Sequence, residues 1–339
     1  MPDQDGIVIS GVGHMLPETV EDNETLCRNL DVTPDWIVEK TGIQRRYIAG
    51  PDDSASSMSI AAARKALAMA GVDAKEIDLI IVCTFSGDYI FPPVSAKVQH
   101  ELGAANAAIF DVQANCTGFV TGLTVATDRM RVDPTVRNAL VVGVEINSRY
   151  VNRADVNSAI YLSDGAGAAV LSRGPAGTGI MASAFHADGS NYEAVRMRGG
   201  GSSHCGVGRA ADPTIDYMEM NGIATWKQAI TNVPIAIKRA CEKSGVAVAD
   251  VDFFIFHQAN YNMIEYIVRK MRADMSKTHT NVREVGNTGA ASPAIAMSEA
   301  VEKNLLKDGD TVVLAAVGAG FNFGASVWRW HMPAAAAGS

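Results

Sequence analysis

The pattern of hydrophobic and polar positions contains one segment twice. Residues 61–83 and 235–257 each begin with an amphipathic helical pattern, continue through a Gly-Val pair and end in a short apolar run. This order predicts a helix that ends at glycine, followed by a buried strand. The two segments align without a gap, and Gly71 then matches Gly245 while Cys83 matches His257.

A second pair of similar segments supports a duplication. Residues 116–126 and 287–297 are rich in small side chains, and we predict helices that begin at a Thr-Gly pair in both. Helices alternating with apolar strands favour two similar α/β halves with mostly parallel sheets, buried on both faces. The alternative is a chance likeness between common helix–strand units. A duplication would place Cys116 and Asn287 at equivalent helix starts, with His257 at a strand end, so we expect the three to meet where the halves join.

Composition narrows the class of protein. The chain has 339 residues, 47% of them hydrophobic, which is enough for one broad domain or two fused ones. We expect one half over residues 1–174, the other over 175–332, and a disordered tail over 333–339. A net charge of −8 without a basic run argues against binding to nucleic acid.

The cysteines and the apolar runs predict a cellular setting. The five cysteines show no CxxC or other tight metal-ligand spacing, which favours a reduced, cytoplasmic chain without a metal. Residues 1–20 lack the pattern of a signal peptide, and no apolar run of 18 residues occurs. We therefore expect no association with a membrane.

Cys116 has the setting of a nucleophile. Small residues flank it, and Thr117-Gly118 follows as a helix start. The positive end of a helix dipole can lower the pKa of a cysteine from about 8.5 towards neutrality. The alternative is a buried structural thiol, because free cysteine is among the most buried residue types.

Three further segments carry candidate chemistry. His257 follows the apolar run 253–256, and ligand sites in α/β proteins form beyond the carboxyl ends of strands, although a structural histidine is the alternative. Asn287 by itself is typical of a helix N-cap. The apolar run 311–317 leads into Gly318-Ala-Gly320, which predicts either a tight hairpin or a loop whose N–H binds an oxyanion. Residues 164–168 predict a closely packed turn rather than a phosphate site.

Taken together and in order, these segments resemble a known family. The matching segments are Asn115-Cys-Thr-Gly118, His257-Gln-Ala-Asn260, Gly286-Asn-Thr288, Gly318-Ala-Gly320, Asp35-Trp-Ile-Val38, Thr41-Gly-Ile43, Phe91-Pro92 and residues 163–171. From about residue 6 to residue 330 the chain is similar to the β-ketoacyl synthase III family of condensing enzymes. The resemblance implies an α/β thiolase fold, with two duplicated halves in five layers, αβαβα. The Cys–His–Asn set differs from the Cys–His–His set of elongating ketosynthases and from thiolases, which have a second catalytic cysteine.

The resemblance also implies a mechanism. Cys116 would take an acyl group from a CoA or carrier-protein thioester, with the oxyanion held by its own N–H and by the loop at Ala319 and Gly320. His257 Nε2 and Asn287 Nδ2 would then bind the carbonyl of a malonyl thioester and stabilise the enolate that forms as CO₂ leaves. The family is homodimeric, uses no metal or cofactor beyond its thioester substrates, and serves fatty acid or secondary-metabolite synthesis.

Substrate-binding residues follow from the same resemblance. They are Trp36 on the CoA adenine, Lys40 at the place of a phosphate-binding arginine, Gly222, Lys227 and Asn260, with Phe91 closing the acyl pocket of the partner subunit. Asn262 and Ile223 depart from the family pattern, in which arginine and asparagine are usual, and residues 152–157 offer no clear adenine-clamping arginine. We expect a flexible loop at the cavity entrance over residues 196–209, with Cys205 exposed.

The weaker CoA site leaves alternatives open. A specialised synthase that loads from a carrier protein, or one that uses a non-malonyl acceptor, is therefore an alternative to an enzyme that loads from CoA. The acyl group could also pass to an oxygen or nitrogen acceptor, or enter a head-to-head condensation. A more distant alternative is a non-catalytic partner subunit, although such relatives usually lose the nucleophile that Cys116 supplies here.

Overall fold

The structure is a computed structural model that describes residues 5–204 and 212–332. The strands are β1 (Gly6–Met15), β2 (Thr19–Asp22), β3 (Arg45–Ile48), β4 (Leu79–Cys83), β5 (Ala108–Val112), β6 (Asn138–Ile146), β7 (Asp164–Gly174), β8 (Gly179–Ala187), β9 (Val195–Met197), β10 (Met218–Met220), β11 (Phe253–Phe256), β12 (Thr311–Gly318) and β13 (Asn322–Arg329). The α-helices are α1 (Asn23–Cys27), α2 (Pro34–Thr41), α3 (Ala55–Ala70), α4 (Val94–Leu102), α5 (Gly118–Val132), α6 (Val156–Ala159), α7 (Gly222–Ser244), α8 (Tyr261–Lys270), α9 (Val282–Val285) and α10 (Ser292–Glu302). The tail predicted over residues 333–339 and the part of the predicted loop that contains Cys205 lie outside the described residues.

Within the described chain, nine strands form one sheet in the order β11-β12-β13-β8-β1-β7-β6-β4-β5. The two halves of the sheet join in its middle, where Ile7 of β1 pairs with Gly179 of β8. The sheet contains parallel pairs such as β4–β5 and β11–β12 and also antiparallel pairs such as β6–β7 and β12–β13. The prediction of mostly parallel sheets was therefore wrong, because short connections such as the turn between β12 and β13 can join only antiparallel strands.

The two halves of the sheet pack on opposite sides of α5 and α10. Alternate side chains of β4 and β11, including Ile81 and Ile255, contribute to one core that also contains Phe119 of α5 and Met297 of α10. The opposite faces of these strands pack on α3 and α4 in one half and on α7 and α8 in the other. The layers therefore run α, β, α, β, α, which confirms the predicted five-layered architecture.

The predicted repeat is present in the structure, with two corrections. Gly71 and Gly245 end α3 and α7 with φ of 64° and 71°, as predicted. The helix α5 begins at Gly118, the glycine of the first Thr-Gly pair, as predicted. The helix α10 begins only at Ser292, so the second predicted helix start was wrong. Gly289 has φ of 56° and opens a separate 3₁₀ turn, Gly289–Ala291, which precedes α10.

The other correction concerns residues 164–168, which form the start of β7 and not a turn. Their small side chains do serve close packing, because a Cβ on Gly167 would lie 2.5 Å from Ala294 Cβ on α10. β7 ends at Gly174 and β8 begins at Gly179, while the domain boundary at residue 174 stays a prediction. None of the helices in residues 5–204 and 212–332 has the length and hydrophobicity needed to span a membrane.

Candidate active site

The junction of the two halves contains a cavity of about 1040 Å³. Cys116, His257 and Asn287 all border it, together with Gly318 and Ala319 of the β12–β13 turn. The structure therefore brings together the three residues that the repeat and the family resemblance had singled out, although they are up to 171 positions apart in the chain.

Cys116 lies in a 3₁₀ turn, Asn115–Thr117, immediately before α5. The β12–β13 turn packs directly on this backbone, since a Cβ on Gly318 would lie 3.2 Å from Cys116 N and 2.9 Å from Ala114 O. The carbonyl oxygen of Ala319 accepts hydrogen bonds from Asn115 Nδ2 at 3.1 Å and from Asn322 Nδ2 at 3.2 Å. The predicted hairpin is confirmed, and its Ala319, but not Gly320, borders the cavity.

Burial raises the pKa of the Cys116 thiol to about 12, and the nearby Glu145 carboxylate adds to the rise. The position of Cys116 at a helix start was expected to lower the pKa of its thiol, and that expectation was wrong in the absence of a bound substrate. A hydrogen bond from the backbone N–H of Cys116 does favour the thiolate, but the loss of water around the sulfur outweighs it. The thiol is therefore protonated at neutral pH.

Glu145 is a buried carboxylic acid behind the cavity wall, on β6. Its Oε2 accepts hydrogen bonds from Ser86 Oγ at 2.5 Å and Thr84 Oγ1 at 3.2 Å, and Phe85 N donates to Oε1 at 3.3 Å. Burial raises the pKa of Glu145 to about 8, against the effect of these donors. Our sequence reasoning missed this residue, although a single acid inside an otherwise apolar strand was a signal that could have found it.

His257 lies directly after β11 and is 7% exposed. Its backbone N–H donates to Ala315 O at 2.9 Å, and its ring Nδ1 lies 2.6 Å from Ser292 Oγ. Burial lowers the pKa of His257 to about 4, so the ring is neutral at physiological pH. With Nδ1 engaged, Nε2 is the ring nitrogen left for a ligand in the cavity.

Asn287 is held by the backbone of the first half. Its N–H donates to Tyr161 O and its carbonyl accepts from Ser163 N, both at 2.9 Å. Its side-chain Oδ1 accepts the Gly289 N–H at 2.9 Å, which leaves Nδ2 as a donor for the cavity. The predicted N-cap role was wrong, because Thr288 is the N-cap of the 3₁₀ turn Gly289–Ala291 and α10 begins only at Ser292.

The predicted substrate-binding residues divide into two groups. Gly222, Asn260 and Phe91 border the cavity, whereas Trp36, Lys40 and Lys227 lie outside its wall. Asn260 Nδ2 donates to Lys40 O at 3.0 Å, and its Oδ1 caps α8 by accepting Met263 N–H at 3.1 Å.

Two residues that bear on the predicted CoA contacts lie outside the cavity wall. Asn262 Nδ2, at the position where family members commonly have arginine, donates to Glu39 O at 2.8 Å. Arg153 pairs with Glu21 through Nη2. The cavity entrance also includes Gly199–Gly201 from the segment predicted as a loop, although β9 already occupies its first residues.

The described part of the chain contains no group of three or more His, Cys, Asp or Glu side chains that could hold a metal ion. Cys27, Cys83, Cys116 and Cys241 are free thiols.

Known proteins share this sequence and this fold. A family model described as 3-oxoacyl-[acyl-carrier-protein] synthase III matches residues 110–189, and the model of the C-terminal part of that family matches residues 241–330. The β-ketoacyl-[acyl-carrier-protein] synthase III of Syntrophomonas wolfei is 38% identical over 324 residues, which cover 96% of this chain and 97% of that protein.

Two solved structures extend the likeness to the fold. The 3-oxoacyl-[acyl-carrier-protein] synthase III of Aquifex aeolicus has a TM-score of 0.88 and 32% identity, covering 96% of this chain and all of that chain. The priming β-ketosynthase of the R1128 polyketide pathway has a TM-score of 0.90 and 31% identity, covering 98% of both chains. The chain therefore belongs to the 3-oxoacyl-[acyl-carrier-protein] synthase III family, and it is a condensing enzyme of the acyltransferase class with the thiolase fold.

Proposed function

We propose that this enzyme joins an acyl group and a malonyl thioester by a two-stage decarboxylative Claisen condensation. One observation carries the proposal. His257 and Asn287 each have one polar side-chain atom engaged within the protein, at 2.6 Å and 2.9 Å, which leaves His257 Nε2 and Asn287 Nδ2 for the cavity that Cys116 also borders. Two neutral donors suit an oxygen that becomes negative only during the reaction.

In the first stage, Cys116 Sγ attacks the carbonyl carbon of an acyl thioester. The Cys116 N–H and an N–H of the turn at Ala319 and Gly320 hold the oxyanion. The bond from the carbonyl carbon to the leaving sulfur breaks, and the proton lost by the Cys116 thiol leaves with the released thiol. The product is an acyl-enzyme, with no net change of charge.

In the second stage, a malonyl thioester replaces the released thiol. Its thioester oxygen accepts hydrogen bonds from His257 Nε2 and Asn287 Nδ2. The bond to its carboxylate breaks, CO₂ leaves, and the electron pair stays as an enolate. The enolate carbon attacks the acyl carbon, the bond to Cys116 Sγ breaks, and one proton from solvent restores the thiol. A β-ketoacyl thioester leaves the site.

A homodimer is part of the proposal. Tyr89, Ile90 and Phe91 form an exposed apolar run beside the cavity, with Ile90 87% and Phe91 83% exposed. Such a run at the border of a binding site is typical of a surface that another subunit covers. We propose that Phe91 closes the acyl pocket of a second copy.

The acyl donor is either CoA or a carrier protein. Lys40 lies outside the cavity wall. Asn262, where the family commonly has arginine, is uncharged and donates to Glu39 O, so neither position places a cation at the cavity wall. This arrangement keeps carrier-protein loading, and transfer to an oxygen or nitrogen acceptor, as alternatives to be separated by experiment.

Intact-protein mass spectrometry after incubation with a panel of acyl-CoA and acyl-carrier thioesters tests the first stage. We expect one acyl adduct, absent from Cys116→Ala and retained by the matched control Cys241→Ala, whose thiol is buried in another core. CO₂ release from a malonyl thioester, equal in amount to the acyl group consumed, tests the second stage. Acyl consumption without CO₂ would support a heteroatom acceptor instead, and full condensing activity of Cys116→Ala would contradict the proposal.

A further inference from the structure

We propose that Ser292 is a positioning residue that fixes the proton of neutral His257 on Nε2, where the condensation needs a donor. The inference rests on the proposed function, since it concerns the donor that binds the malonyl carbonyl. It assigns a role to a side chain outside the Cys–His–Asn set, on the first turn of α10.

Ser292 is 1% exposed and bridges two neighbouring groups of the His257 segment. Its Oγ lies 2.6 Å from His257 Nδ1 and accepts the backbone N–H of Gln258 at 3.0 Å. The direction of the second bond is certain, because a backbone N–H can only donate. One lone pair of the hydroxyl oxygen is therefore used.

The position of the hydroxyl hydrogen decides the tautomer of the histidine. Among the contacts of the described chain, His257 Nδ1 is the acceptor that Ser292 Oγ can reach. If Nδ1 carried the ring proton and donated to Ser292 Oγ, the hydroxyl hydrogen would be buried without an acceptor, which is unfavourable. The satisfied arrangement is Ser292 O–H donating to Nδ1, with the ring proton on Nε2.

The tautomer matters because the ring carries no charge. Burial holds the pKa of His257 at about 4, so only one of its two nitrogens bears a proton at neutral pH. With the proton on Nε2, the ring donates to the developing enolate oxygen. With the proton on Nδ1, a lone pair of Nε2 would face that oxygen and repel it.

The start of α10 places this hydroxyl. Pro293 stands in the first turn of the helix, where proline is favoured, and the 3₁₀ turn Gly289–Ala291 leads directly into that turn. Ser292 is thus fixed by the backbone, while the short side chain leaves its oxygen between the His257 ring and the next peptide group.

The test compares Ser292→Ala with wild type in both stages. We expect acylation of Cys116 to remain within about twofold, because Ser292 does not touch the nucleophile segment, and kcat for malonyl decarboxylation to fall at least about tenfold, with KM nearly unchanged. ¹⁵N NMR of the His257 ring should show Nε2–H in wild type and a mixture of tautomers in the variant. Ser292→Thr keeps the hydroxyl and should restore both the tautomer and part of the rate.

Ser298→Ala is the matched control. Ser298 lies on the same helix and also contacts a histidine, with its Oγ 2.9 Å from His14 Nδ1, but it is outside the cavity wall. We expect wild-type rates in both stages. This control shows whether the loss of any Ser–His hydrogen bond of α10 slows the reaction, or only the loss of the bond to His257.

Three results would overturn the inference. The first is an Nδ1–H tautomer in wild type, which needs no variant and so does not depend on folding. The second is Ser292→Ala with the wild-type rate and tautomer, and the third is equal damage by Ser298→Ala. The proposed function fails separately, if wild type acylates Cys116 but releases no CO₂ from malonyl thioesters.

Discussion

Burial keeps three titratable side chains at or behind the cavity wall, Cys116, Glu145 and His257, neutral at physiological pH. It raises the pKa of Cys116 to about 12 and of Glu145 to about 8, and it lowers the pKa of His257 to about 4. These directions have one cause, because removal of water disfavours whichever form is charged. These three groups therefore enter the proposed reaction without a charge.

The pKa of His257 predicts the pH dependence of decarboxylation. The ring is neutral above pH 4 and becomes protonated only as the pH falls through that value. We expect the kcat of CO₂ release to show no loss centred near pH 6.5, where an ordinary histidine titrates. Stopped-flow CO₂ assays from pH 8 to pH 5, with circular dichroism to verify folding, measure this. A midpoint near 6.5 would show that His257 is not shielded from water.

Glu145 predicts an unusual effect on the reactivity of Cys116. Above its pKa of about 8, Glu145 is ionised and its charge raises the pKa of the thiol. Glu145→Gln removes that charge, so Cys116 should react with iodoacetamide about three to ten times faster at pH 9.5 and almost unchanged at pH 6.5.

Peptide mass spectrometry distinguishes alkylation of Cys116 from that of the other thiols. Glu299→Gln is the control, since this acid interacts with His279 and Lys303 and not with Cys116. Slower alkylation of Glu145→Gln would instead identify Glu145 as the group that removes the thiol proton.

At the scale of elements, the β12–β13 hairpin positions the backbone around Cys116. A Cβ at Gly318 would lie within 3.2 Å of backbone atoms of the 3₁₀ turn, and backbone cannot move aside as a flexible side chain can. The hairpin and the start of α5 therefore act as one unit, although they belong to different halves of the molecule.

The added methyl group of Gly318→Ala should push the β12–β13 hairpin away from the backbone around Cys116. This displacement should disturb the proposed contact of the hairpin N–H with the oxyanion. We expect acylation of Cys116 to slow by about a hundredfold, the usual cost of losing one oxyanion donor. Gly201→Ala is the control, because a Cβ there meets nothing within 4 Å although Gly201 also borders the cavity. Thermal unfolding of both variants separates slow acylation from loss of folding, and equal acylation rates would contradict the role of the hairpin.

At the scale of the whole molecule, the two halves share the core around α5 and α10, so the cavity at their junction depends on both. Its rim includes the exposed apolar run of Tyr89, Ile90 and Phe91, which a single chain leaves in water. The proposed second copy would cover that run and complete the acyl pocket.

The mass in solution tests this assembly. Light scattering should give about twice the chain mass of 35.8 kDa, and the double variant Ile90→Glu, Phe91→Glu should shift the protein towards monomer. Val132→Glu changes another apolar side chain that is 80% exposed and should leave the mass unchanged. A wild-type monomer at micromolar concentration would contradict the dimer.

Local patterns in the sequence were sufficient for many of the elements. Gly71 and Gly245 end helices because glycine adopts the left-handed conformation without strain, and apolar runs such as residues 253–256 form strands wherever they are covered. These patterns did not predict the strand at residues 164–168 or the start of α10. The ordered set of family-like segments along the whole chain indicated the family.

Tertiary structure alone decided how those side chains behave. The raised pKa of Cys116, the proximity of Glu145 and the contact of Ser292 with His257 all depend on residues far apart in the chain that exclude water together. Packing also decides the segment before α10, where Gly289 has φ of 56° and a Cβ on it would lie 2.7 Å from Glu145 Cγ. Sequence thus determined the family and the candidate reacting groups, whereas packing determined their protonation and orientation, because desolvation is a property of the assembled core and not of any segment.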